Sequence, residues 1–153
     1  MQKTLAAIFA AALLLVLSSC SINLLPDNYF GFSKQQFTVV EERDTHGGFL
    51  GDGSYYLILD CSSNTDAALN IVANWNPLPL SENLSLIMYG NYGLSEEAHM
   101  PAIENGYYCF EDRHSEANDA SDDSELFSRA SFNFSLAVYD SDTNRLYYFE
   151  FDT

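Results

Sequence analysis

The sequence predicts an α+β domain, a mostly antiparallel sheet of about six strands with one helix packed on it. Two observations carry this. Short runs rich in β-branched and aromatic residues, one of them strictly alternating, recur between turn signals. Only one segment, residues 64–75, places its apolar side chains at helical spacing before Pro77 and Pro79 stop it. A small β-sandwich with a helical crossover is the alternative arrangement.

Taken in order, Phe37-Thr38-Val39-Val40 reads as a strand that runs on into Glu41-Glu42-Arg43. Residues 46–53 hold four glycines and end in Asp52-Gly53, and residues 54–61 read Ser-Tyr-Tyr-Leu-Ile-Leu-Asp-Cys. Two strands about a glycine-rich turn predict a hairpin. The helix follows, with Asn64 or Thr65 to cap it and Ala68, Leu69, Ile71, Val72 and Trp75 on one stripe. Residues 84–89 (Leu-Ser-Leu-Ile-Met-Tyr) and 106–110 (Gly-Tyr-Tyr-Cys-Phe) read as the next strands, with a long loop over 90–105 between them. The last hairpin is the clearest. Phe132, Phe134, Leu136 and Val138 alternate with Ser131, Asn133, Ser135 and Ala137, residues 140–144 turn the chain, and residues 146–151 return it.

The 153 residues include 22 acids and 6 bases, a formal charge of −16, yet 14% are aromatic. That aromatic content belongs to a folded chain, and the length suits one domain. Such a charge, with no Lys/Arg stripe, excludes nucleic acid as a partner.

The first residues carry an address. Lys3 precedes an apolar run over residues 5–17, too short to cross a bilayer, and then comes Leu17-Ser18-Ser19-Cys20. These four residues resemble the bacterial lipobox. The resemblance covers residues 1–20 alone. It implies a signal peptide over 1–19, cleavage before Cys20, a diacylglyceryl thioether on its sulfur and a second, palmitate-type acyl chain. The expected product is a lipoprotein anchored in the cell membrane or outer membrane and facing away from the cytoplasm. Residues 20–35 then form the lipidated Cys and a short tether, with Tyr29, Phe30 and Phe32 docking on the single domain over 36–153. Loss of Lys3 with the leader leaves five bases against 22 acids, a charge of −17.

Each cluster able to carry chemistry has a plainer reading beside it. Cys61 and Cys109 lie on strand segments and are candidates for a disulfide, or for two buried thiols. His46, His99 and His114 sit in loops near Glu96, Glu97, Glu111 and Asp112 but show no ligand spacing, so no metal or cofactor is expected. Asp140-Ser141-Asp142-Thr143-Asn144 opens like a calcium loop, then departs from it at Arg145 and Phe151, and reads as a hairpin turn. His46-Gly47-Gly48 is similar to an esterase oxyanion loop, but no G-x-S-x-G segment supplies a nucleophile.

Two features point to contact with a partner. Residues 116–125 carry Glu116, Asp119, Asp122, Asp123 and Glu125 with no large apolar side chain, an electrostatic surface for a basic protein or peptide. Tyr55-Tyr56, Tyr107-Tyr108 and Tyr147-Tyr148 recur as pairs on strands. Since strand neighbours face opposite ways, Tyr56, Tyr108 and Tyr148 are expected to face outward as an aromatic platform. The chain is similar in address, size and charge to small acidic lipoproteins that inhibit lysozyme, without their sequence signatures. The expected function is a non-enzymatic, membrane-tethered binding module. An envelope assembly lipoprotein and a small hydrolase are the alternatives.

Overall fold

The aromatic and β-branched runs pair their backbone groups in one sheet. The computed structural model describes residues 30–47 and 51–153. Strands β1 (Thr38–Asp44), β2 (Gly53–Asp60), β3 (Asn76–Pro77), β4 (Gly106–Asp112), β5 (Asn133–Asp140) and β6 (Arg145–Asp152) lie in the order β1-β2-β6-β5-β4-β3. Every neighbouring pair is antiparallel. The class is therefore α+β, with a single six-stranded sheet rather than a sandwich of two. Both hairpins expected from the sequence are present, β1–β2 and β5–β6. Gly106 opens β4 at a φ of +155°, where a Cβ would come 1.8 Å from the Tyr139 carbonyl oxygen, so only glycine fits.

Among the described residues three α-helices accompany the sheet instead of one: α1 (Thr65–Val72), α2 (Glu82–Tyr89) and α3 (Leu94–Glu97). Helix α1 is the expected one, and it buries Ala68 and Val72. Helix α2 corrects the strand expected over residues 84–89. The Ser81 hydroxyl accepts the Leu84 N–H at 3.1 Å, a cap that satisfies an otherwise orphaned helix donor. The buried side chains are then Leu84, Ile87 and Met88, at helical spacing, and Leu86 is left exposed. A strand would have buried Leu84, Leu86 and Met88. The third strand of the sheet is instead the two-residue β3 just beyond α1, and α3 lies in the expected loop.

Both faces of the sheet are covered. On one, Tyr56, Ile58, Phe110, Phe134, Leu136, Val138, Tyr147 and Phe149 meet α2, α3 and Leu126. On the other, Tyr55, Leu57, Leu59, Ala137, Tyr139, Leu146 and Tyr148 meet α1 and the segment carrying Phe32 and Phe37. Phe30 and Phe32 dock edge-on against Tyr148, as expected. Ser135 and Ala137, read from their alternation as the polar side of β5, are buried too. Their small size leaves room for Tyr148, whose hydroxyl lies 3.3 Å from that of Ser135. Among the described residues no helix is long and apolar enough to cross a membrane, and Cys20 with most of the expected tether lies outside them.

The helical assignment of α2 has a direct test. Replacing Ile87 with Ala should cost about 2–4 kcal/mol of unfolding free energy in urea titration, whereas Leu86→Ala should cost under about 1 kcal/mol. The reverse order would restore the strand.

Candidate functional site

At the end of β4 the chain leaves the sheet for the long acidic loop and returns through a 3₁₀ turn, Leu126–Ser128, to β5. One ion pair closes this excursion: Arg129 bonds the carboxylate of Asp112 through both terminal nitrogens, with Asp112 buried and the Arg129 side chain largely so. Asp112 also accepts the His114 N–H and donates its own N–H to Ala120, so the loop is laced at its base and its middle.

Within the loop the acids organise the backbone. Asp119 accepts the N–H and hydroxyl of Ser121, and Asp122 those of Ser124, in two successive turns. The Ser121 bonds, first that from its backbone, hold the Asp119 carboxyl below the usual carboxylate range, which keeps its charge. Glu125 accepts from Asn118 at 3.2 Å. Glu116, Asp119 and Asp122 are exposed and Glu125 is half-buried. Asp123 differs from them. It turns inward, accepts from Ser81 and Asn83, and ties the loop to the start of α2.

Beside the acids the structure exposes an aromatic group that the sequence reading missed. Tyr92, between α2 and α3, is 50% exposed, and Phe127 is 36% exposed. Their rings stack with centroids 5.7 Å apart. Phe132 stands edge-on to both, at 5.5 and 6.3 Å, and leads on to Phe134 and Phe151. The available signal was Leu126-Phe127 directly after the acidic run. Two adjacent apolar residues on one tight turn cannot both point into the core, and here Leu126 does.

The expected tyrosine platform is not formed. Tyr56 and Tyr148 are buried on opposite faces of the sheet, and Tyr108 is half-buried on the face of Tyr56, across two intervening strands. The outward direction demanded by strand alternation exists, but helices cover both sides of it. The disulfide fails for a similar reason. Cys61 and Cys109 are free thiols. Cys61 directly follows β2 and Cys109 lies on β4, and β6 and β5 separate these strands, so sheet spacing alone puts the two at least roughly 14 Å apart against the roughly 4–7 Å a bridge requires.

Of the three histidines, none shares a site with another, and among the described residues no group of three His, Cys, Asp or Glu could hold a metal ion. His46 bridges Asp44 and Asp152 at 2.7 and 3.0 Å, and Arg113 also binds Asp152. His114 meets Ser131. His99, with its backbone in the left-handed region at a φ of +50°, contacts Glu41 at 3.0 Å and lies over the ring of Tyr56. The Tyr56 hydroxyl donates to Glu41 at 2.6 Å, and that bond, followed by the one with His99, holds the Glu41 carboxyl low. A cleft of about 170 Å³ opens beside them, lined by Arg43, Thr45, Ser54, Tyr56, Glu97 and His99. The carboxylate could orient the imidazole as a base, but the Ser54 hydroxyl is engaged by Glu97 rather than by His99. The cleft is also well below the roughly 300–1,000 Å³ of ordinary small-molecule sites. Asp140, in the expected turn, accepts the N–H groups of Asp142 and Thr143, its local hairpin role.

No protein-family model matches the chain, and no curated protein or solved structure shows significant similarity to it.

Two measurements test this geometry. In protein unfolded without reductant, Cys61 and Cys109 should both react with a thiol reagent. In the native state at pH 8 Cys61 should react very slowly, because burial pushes its thiol up to about 12. A bridged species in mass spectra would contradict the topology. Arg129→Met should destabilise the domain by about 3–5 kcal/mol in urea titration, since it leaves Asp112 buried and uncompensated.

Proposed function

We propose that this chain is a lipid-anchored, extracytoplasmic binding module, held at the membrane through Cys20 and presenting its acidic loop to a basic protein or peptide. The observation that supports this best is the disposition of charge. The bases that could neutralise the surface are few, and three are engaged within the fold: Lys34 with Glu42, Arg113 with Asp152 and Arg129 with Asp112. Meanwhile Glu116, Asp119, Asp122 and Glu125 stand on a loop closed by a buried ion pair. Their backbone is already ordered, so little conformational entropy is lost on contact. A fixed cluster of one sign raises encounter rates with the opposite sign and makes the complex salt-dependent.

The test is affinity capture at low and at high salt. A basic partner should be retained at low ionic strength and released at about 1 M, where the screening length falls to roughly 3 Å. Converting Glu116, Asp119, Asp122 and Glu125 to their amides should weaken retention about ten-fold or more without unfolding the domain, because the amide oxygens can still accept from Ser121 and Ser124 and the Glu125 side chain makes no bond capping the turn it begins. Capture that ignores both salt and these changes would favour an envelope assembly role.

A further inference from the structure

We propose that Tyr92, Phe127 and Phe132 anchor the apolar side chains of the same basic segment whose charges meet Glu116, Asp122 and Glu125, an inference that rests on the function proposed above. Single exposed apolar side chains are ordinary on protein surfaces, but three rings in mutual contact are a patch. This one is built rather than left over. Leu126 is buried on one side of Phe127, and Arg129 is clamped to Asp112 on the other, so the turn between them holds Phe127 outward. Phe132 backs the stack and joins it to the core through Phe134 and Phe151, so the rings are fixed before any partner arrives. Rigid aromatic anchors of this kind dominate binding energy where polar groups rim them, and Arg or Lys stacks favourably on their faces.

The occupant follows from the rim. Glu125 begins the turn that presents Phe127, and its carbonyl accepts from Ser128 at 2.7 Å, so acid and ring move as one body. A segment that is both basic and apolar satisfies the two halves together. A bilayer does not, because the charge of the chain opposes anionic lipid.

Calorimetric titration of the full chain in phosphatidylcholine nanodiscs, with empty discs subtracted, uses two decapeptides of equal charge, one alternating Arg with Leu and one Arg with Gly. At low salt both should bind, the Arg/Leu peptide about ten-fold more tightly. The double variant Tyr92→Ser, Phe127→Ser should lose that ten-fold advantage while binding the Arg/Gly peptide unchanged, and Phe127→Tyr should keep it. Circular dichroism melts confirm that each variant is folded. Equal affinity for the two peptides, or an advantage that survives the double variant, overturns the aromatic anchor and leaves the acidic-loop reading standing. Failure of both peptides to bind overturns that reading and the anchor with it. Flotation of the Cys20→Ser chain with neutral phosphatidylcholine vesicles, abolished by the double variant, would assign the rings to lipid and also overturn the proposal.

Discussion

The β5–β6 hairpin is buried on both of its faces, and this decides where any partner can touch the protein. A sheet covered on one side only would show its alternate residues to solvent. Here α2 and α3 close one side, and α1 with Phe32 and Phe37 closes the other. The aromatic abundance of the chain is therefore spent largely inside, where a buried aromatic side chain removes roughly 150–250 Å² from water. Tyr148 illustrates this. Three aromatic rings surround it, its hydroxyl is met by Glu150, and burial pushes its pKa well up. What remains for recognition is the rim of the sheet and the loops that leave it.

Among those loops the acidic one is distinctive because an ion pair closes it. Burying Arg129 and Asp112 gains little net stability, since desolvation offsets most of the attraction. Their contribution is better understood as geometric. The pair joins the last residue of β4 to the segment entering β5, which sets the direction of the 3₁₀ turn between Glu125 and Arg129. Asp123 adds a second point of attachment at the cap of α2. A run with this composition would otherwise be solvated and mobile. Held at both points, it presents its carboxylates in a fixed arrangement.

The sheet was legible in the sequence because its signals are local. The alternation over 131–138, the glycine-rich turn before β2 and the Asx turn at 140–144 each act within a few residues. Helix α2 was misread because Leu-Ser-Leu-Ile-Met-Tyr satisfies a period of two nearly as well as one of 3.6, and six residues are too few to separate them. The cap at Ser81 was the deciding signal. The tyrosine platform and the disulfide were misplaced for another reason: both depend on strand order and on what covers each face, which are long-range facts. No local pattern announces that β6 and β5 lie between β2 and β4. The acidic run was found as composition, but its closure by Arg129 and its aromatic neighbour Tyr92 come from residues distant in sequence.

Anchoring and charge bear on one another. Because Phe30 already packs against Trp75 and Tyr148, only nine residues, 21–29, separate the proposed anchor Cys20 from the domain, a length that could reach at most about 30 Å. On the proposed anchoring, the domain therefore works within roughly its own diameter of the bilayer. Charges separated by more than about 8 Å are largely screened at physiological salt, so the acidic loop acts on what enters that narrow layer and not on what lies beyond it. Basic segments accumulate at anionic surfaces, whereas the domain itself is repelled from them. On the proposed anchoring, a tether this short would hold the two in the same layer despite that repulsion, and attraction between loop and partner would operate at the local concentration set by the membrane.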